Sequence, residues 1–250
     1  MKNMIRADIR RIMCKKSFWV VFAIAILTDI ALVMFHLYSK KYSSFSFMTG
    51  NTSAICNFCG MLIGIAVFLA VYADDFKSMT LISVIGRGNS RLRIILAKFI
   101  NSVIITVVLF AIMALNIFIL SKAMGISMLP DERLCVILVI IYGTYVTIAI
   151  VTIGAIVIYA SSNIPFSLFM IVMLYFVIPV ALRFSSTVSF LEGLHLERYD
   201  MNGLALSGFS DIILGMVPSG IATLIGTFVI YVGGALAIIY AVFRKRELDF

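Results

Sequence analysis

Apolar residues run in six long blocks, at 18–38, 54–73, 94–120, 134–160, 164–182 and 220–243, and polar residues gather in the gaps between them. A helix through any one of these blocks would cross a hydrocarbon layer of about 30 Å at about 1.5 Å per residue. Two of the blocks have 27 residues, which predicts tilt or an interfacial start. Strands of a transmembrane barrel would be about ten residues long and alternate in polarity, and no such alternation occurs. The pattern predicts an all-α integral membrane fold, six transmembrane helices in a single domain over 1–250.

The gaps carry patterns of their own. Ahead of the first block, Ile5, Ile9, Ile12 and Met13 recur at helical spacing, while Lys2, Arg6, Arg10, Arg11 and Lys15 fill the remaining arc. This predicts an amphipathic interfacial helix over 1–17; a polybasic topology signal is the alternative reading. The first block is too long for a signal peptide and no small-residue cleavage site ends it, so it is expected to be retained. In the gap at 74–93, Met79, Ile82, Ile85 and Val84 mark one face of a short helix that Gly86 and Gly88 end. The gap at 161–163 is minimal, and Pro165 is placed to open the next helix in its first turn. The longest hydrophilic stretch, 183–219, contains the apolar run 212–217 closed by Pro218. That run is too short to cross and is expected to fold back as a re-entrant or interfacial helix.

Charge orients this arrangement. Fourteen of the 20 Lys and Arg residues fall on one side of the six blocks, in 1–17, 74–98 and 244–246. Six fall on the other side, where six acidic residues balance them. By the positive-inside rule both termini and the 74–93 loop are cytoplasmic in the cell membrane, and 39–51 and 183–219 lie outside. The net charge of +8 then reflects topology and contact with anionic lipid, not a nucleic-acid partner. With 62% hydrophobic and 13% charged residues, the chain departs from the roughly 45–50% and about 25% of soluble domains.

Catalytic chemistry is poorly served. No G-x-x-x-x-G-K-S/T string is present to cradle a nucleotide phosphate. His36 and His195 stand far apart, so neither a zinc site nor a Ser-His-Asp set assembles; no enzymatic activity, metal or cofactor is expected in this chain. Cys56 and Cys59 read as two small apolar residues one helical turn apart. Asp29 is the one acidic residue inside a block, where a charge costs at least about 2.5 kcal/mol. With His36 it either lines a polar stripe toward a translocation path or subunit interface, or is internally hydrogen-bonded and structural. Gly60 and Gly64 form a small-x-x-x-small pair, and Gly143, Thr144, Thr147, Thr152 and Gly154 give the fourth block similar character; close helix packing is the expected use of both.

The 74–98 segment reads Asp75-Phe76, then Met79-Thr80, then Ile82, Ile85, Arg87, Gly88, Ser90 and Arg91, and ends at Ala97-Lys98. It resembles the loop between the second and third spans of type-2 ABC-transporter permeases. Asp75, Phe76, Thr80, Gly88, Ser90, Arg91 and Lys98 match that pattern, whereas Met79 replaces a glycine and Ile82 a basic residue. The basic start, the outer segment before the last span and the ending Phe243-Arg244-Lys245-Arg246-Glu247-Leu248 are also similar to that family. The resemblance implies that the loop is a coupling helix docked on a separate ATPase subunit, which would bind ATP and Mg. Met79, Ile82 and Ile85 would then enter a groove on the ATPase, and Asp75, Arg87 and Arg91 would form a charged rim. A second permease subunit, the same or different, would complete an exporter of a hydrophobic or amphiphilic substrate such as an antimicrobial peptide or drug. A six-span secondary carrier or channel is the alternative, although such proteins concentrate polar residues in several spans.

Overall fold

The computed structural model describes residues 2–38, 58–77, 85–86, 88, 90–123, 125, 130–185 and 200–245. Among them every regular element is helical and no strand occurs. The N-terminal helix α1 is Lys2–Met13, and a tight turn through Cys14 and Lys15 leads into α2, Lys16–Tyr38. Helix α3 comprises Gly60–Phe68, a π-helical turn Leu69–Ala73 and a last turn Asp74–Lys77. Helices α4, Arg91–Ala123, and α5, Pro130–Ser161, are the longest. Helix α6 runs through Ile164–Val172, a π turn Met173–Val177 and Ile178–Ser185. Helix α7 is Met201–Ile213, and α8 consists of Val217–Phe228, a π turn Val229–Gly233 and Gly234–Lys245.

Among the described residues, four helices are long and apolar enough to cross a membrane: Arg91–Ala123, Arg133–Ser161, Ile164–Leu182 and Val217–Lys245. They are the third to sixth expected spans, so the chain has the make-up of a membrane protein. The two earlier expected spans fall on α2 and α3, and residues 54–57 of the second lie outside the described residues. Much of the apolar surface of the four helices is uncovered: in the most apolar stretch of the last, 17% is buried, and Ile221, Ile225, Val229 and Ile230 are exposed. A surface of that kind is matched to hydrocarbon or to another apolar protein face, since water-soluble monomers keep such patches small.

Neighbouring helices alternate in direction. The start of α2, the end of α3, the start of α4 and the ends of α5 and α8 all meet at one end of the bundle, through Lys15–Asp74, Asp75–Lys98, Phe76–Tyr159 and Tyr159–Phe243. The link from α5 to α6 is as short as expected. Ser162 takes a positive φ of 56° to make the reversal, the Asn163 side chain accepts a hydrogen bond from the Phe166 N–H at 3.0 Å, and Pro165 sits in the first turn.

The 212–217 run proves to be a turn more than a helix of its own. Ile212 and Ile213 end α7, Gly215 turns at φ 84°, and Val217 already opens α8. The two helices then close into a hairpin. At their crossing a Cβ on Gly220 would stand 2.5 Å from the Gly208 carbonyl oxygen, so only glycine allows the approach. The apolarity that suggested a separate short helix instead belongs to the facing ends of two longer ones.

Candidate functional site

The expected loop helix around residues 79–85 lies almost wholly outside the described residues: Met79, Thr80, Ile82 and Arg87 are not among them. Its two flanks are described, and both are tied into the bundle.

The leading flank begins in the π turn of α3. One extra residue in that turn rotates the remainder of the helix by about 100° about its axis, and Asp74 and Asp75 come directly after this insertion. Asp75 is 4% exposed. Its Oδ1 accepts from Arg11 Nη1 of α1 at 2.5 Å, and its Oδ2 pairs with Lys98 Nζ of α4. Lys98 also reaches Asp8 Oδ2 at 2.7 Å, where Asn101 Nδ2 donates at 3.2 Å, and Arg11 lies 3.6 Å from the other Asp8 oxygen. Asp8, Lys98, Asp75 and Arg11 thus alternate in sign around a closed ring drawn from three helices. Beside it, Lys15 pairs with Asp74 and donates to the Ala70 carbonyl within the π turn, at 3.4 Å.

Burial opposes ionisation of Asp75, but the Lys98 charge and the Arg11 and Lys98 hydrogen bonds outweigh it and hold its carboxyl below the usual range. For Arg11 too, burial disfavours the charge, and the Asp75 hydrogen bond and charge more than restore it, moving the guanidinium up. Lys15 is moved down, by burial first and by the neighbouring Arg11 charge second.

Phe76 continues the leading flank as an aromatic anchor. Its ring meets Tyr159 of α5 edge-on at 5.2 Å, and Tyr159, 1% exposed, meets Phe243 of α8 at 5.0 Å. The trailing flank closes on the same stack. Gly88, at φ 83°, donates its N–H to the Ile85 carbonyl at 2.9 Å to form a turn. Ser90 caps α4, its Oγ accepting from the Arg93 N–H at 3.4 Å. Arg91 places its guanidinium 5.5 Å above the Phe243 ring and donates to the Phe243 and Arg244 carbonyls at 2.5 and 2.7 Å. These are carbonyls of the last turn of a helix, which lack partners along their own helix.

Two expectations change. Asp75 and Arg91 do not stand on a charged rim. Asp75 is buried in the ring and Arg91 holds the end of α8, because each has an opposite charge or open carbonyls within the bundle. Arg11 and Lys15, expected on the outer arc of the interfacial helix, turn inward for the same reason. Ile85 is half-buried against the apolar core, so it is partly engaged within the chain itself. Sequence reasoning missed the ring because its members are paired across 64 and 90 residues. The signals for it were Asp8, the one acid in a basic helix and in register with Ile5 and Ile12, and Lys98, a cation one turn into an apolar block. Asp29 and His36 both lie in α2, but their side chains fall outside the described residues.

A second polar locus lies within the bundle. The Tyr175 hydroxyl donates to the Gly60 carbonyl at 3.0 Å and shares a hydrogen bond with Thr147 Oγ1 at 2.7 Å, joining α6, α3 and α5. A Cβ on Gly60 would lie 3.4 Å from Thr147 Oγ1, and one on Gly64 3.4 Å from the Tyr175 ring. Both glycines are buried against these side chains, and an added Cβ would be in ordinary van der Waals contact with them. No group of three metal-ligating side chains occurs among the described residues. A scan against family models and a search of curated proteins both return no match.

Proposed function

We propose that this chain is the membrane-spanning permease subunit of an ATP-driven ABC exporter, in which work done by a separate ATPase enters through the 74–93 loop. In this reading α2 and α3 complete a set of six spans, both termini and the loop face the cytoplasm, and a second permease subunit provides the other half of the path. ATP and Mg belong to the ATPase, and the cargo is hydrophobic or amphiphilic. The observation that carries the reading is the anchoring of both loop flanks: Asp75 is held by α1 and α4, and Arg91 by the end of α8. A force on such a loop moves four helices together, whereas a loop with free flanks would absorb it. The absence of a phosphate loop and the resemblance of Asp75-Phe76, Thr80, Gly88, Ser90-Arg91 and Lys98 to the permease pattern supply the direction of transfer.

The test is Ile82→Asp in the full chain, co-expressed with the ABC ATPase subunit of the same organism that co-purifies with the unaltered protein. Ile82 is preferred to Ile85, which packs on the chain's own core. The expected result is loss of ATPase co-purification or of transport-coupled hydrolysis, with the protein still in the membrane. Full assembly and coupled hydrolysis would overturn the docking role and favour a six-span carrier or channel.

A further inference from the structure

The two faces of α1 divide their charges. Asp8 and Arg11 enter the buried ring and Ile12 is fully buried, which fixes the rotation of the helix. Arg6 and Arg10, one turn apart, are left exposed on the outer side. With Ala7, Ile9, Arg11 and Cys14 they line a broad open depression. Among the described residues neither Arg6 nor Arg10 has an acidic partner within 4 Å, whereas Arg11 is turned inward, with Nη1 on Asp75 and Nη2 3.6 Å from Asp8. The depression therefore carries the unpaired cations Arg6 and Arg10 and no carboxylate among its lining residues. It also stands at a particular level: α2 starts one short turn later. The single tryptophan, Trp19, is 39% exposed there and donates its indole N–H to the Met13 carbonyl at 2.8 Å, beside the exposed Met13 side chain. An exposed amphipathic ring next to exposed arginines is the composition of a membrane–water interface.

We infer that the outer face of α1 is a recognition surface for anionic phospholipid headgroups, with Arg6 and Arg10 engaging the phosphates and Trp19 and Met13 inserted at acyl level. Arginine suits this because its planar fork binds two phosphate oxygens at once. The helix cannot roll to withdraw the pair from the interface, since the ring beneath would have to open. The surface thus selects lipid by charge at a fixed position, beyond the general attraction of a basic loop for an anionic leaflet. This inference requires that the chain lie in a membrane and is independent of any ATPase.

The experiment uses the full chain in nanodiscs of phosphatidylcholine and phosphatidylglycerol, either lipid carrying brominated acyl chains, with Trp19 as the sole tryptophan reporter. Brominated phosphatidylglycerol is expected to quench Trp19 more than brominated phosphatidylcholine at equal mole fraction, and lipid retained through detergent extraction to be enriched in phosphatidylglycerol. Each arginine near an anionic surface contributes about fivefold, so Arg6→Gln with Arg10→Gln should lower the enrichment by about 25-fold and equalise the quenching. Lys122→Gln with Arg133→Gln, exposed cations at the other end of the bundle, should leave both readouts unchanged. Equal enrichment in the Arg6/Arg10 variant would overturn the inference, as would equal loss in the Lys122/Arg133 control. Equal quenching by the two brominated lipids in the unaltered protein would also overturn it. Measuring Trp19 emission of each variant in phosphatidylcholine alone separates a misfolded variant from one that has lost lipid preference.

Discussion

Two of the buried polar loci among the described residues join helices of the bundle, and they are built differently. At the basic end, four full charges alternate around the Asp8–Lys98–Asp75–Arg11 ring. Deeper, among α3, α5 and α6, the Tyr175–Thr147–Gly60 seam uses only hydroxyls and a backbone carbonyl. The difference arises from desolvation. A carboxylate or ammonium can be kept ionised where several partners share it, and the ring joins a surface helix to helix ends, close to polar solvent. A hydroxyl costs far less to bury and needs one or two partners. The ring is strong in each contact and vulnerable to the loss of any member, whereas the seam is modest and tolerant.

That contrast is broken most sharply by Lys98→Met. The variant leaves Asp8 with the Asn101 amide and the longer Arg11 contact and strips Asp75 of one of its two cations, and unpairing a buried ion pair costs about 3–5 kcal/mol. A large fall in the detergent-solubilised melting temperature is expected, with α1 becoming protease-sensitive. Adding Asp75→Asn should restore part of the loss, and strictly additive losses in the double variant would show that the two side chains are not coupled.

Acid titration sharpens the same point. The folded-state carboxyl of Asp75 is held below its ordinary range, so its stabilisation is fully present above the unfolded value of about 3.9 and disappears only as pH falls through the lower folded value. The unaltered protein should therefore keep the Asp75 pairs intact from neutral pH down to about 4. In Lys98→Met the charged Asp75 is a burden that protonation relieves, so the stability gap between the two proteins should narrow as pH drops. Replacing Tyr175, whose hydrogen bonds involve no charged group, should give a gap independent of pH. A gap for Lys98→Met that stays constant to pH 3 would show that Lys98 does not control Asp75.

Tyr175→Phe tests the seam directly. It removes one hydroxyl and leaves the Gly60 carbonyl and Thr147 hydroxyl to find other partners, for about 1–2 kcal/mol. Thermal unfolding should show a moderate, pH-independent loss, and a loss as large as that of Lys98→Met would erase the distinction between the loci.

Legibility from sequence depended on range. Features set within one helix were readable: apolar block length gave the four long helices among the described residues, and Pro165 marked the start of α6. Thr147 was visible as a packing residue, but Tyr175, its partner from α6, was not, because nothing in a block of Met, Phe and Leu distinguishes the one tyrosine that turns inward. The π turns left no mark either, since the extra residue is apolar like its neighbours. The ring was the largest loss. Its residues were read as a topology signal and a loop rim because charge counted along the chain does not reveal which cations have acids waiting across the bundle.

The smallest effect is expected at Arg91, which belongs to neither locus but joins the loop to the end of α8. Arg91→Lys keeps the charge near the C-terminal carbonyls, so the favourable interaction with the helix end persists. What it loses is the planar fork that reaches the Phe243 and Arg244 carbonyls together while stacking over the Phe243 ring. Arg91 is half-buried, so water replaces part of the loss, and the expected cost is about 0.5–1 kcal/mol. Overall melting should barely move. Hydrogen exchange of the last turn of α8 should rise, because that turn alone loses its tether. If the exchange stays unchanged in Arg91→Lys and also in Arg91→Ala, the end of α8 is held by the Phe76–Tyr159–Phe243 stack in place of the Arg91 hydrogen bonds.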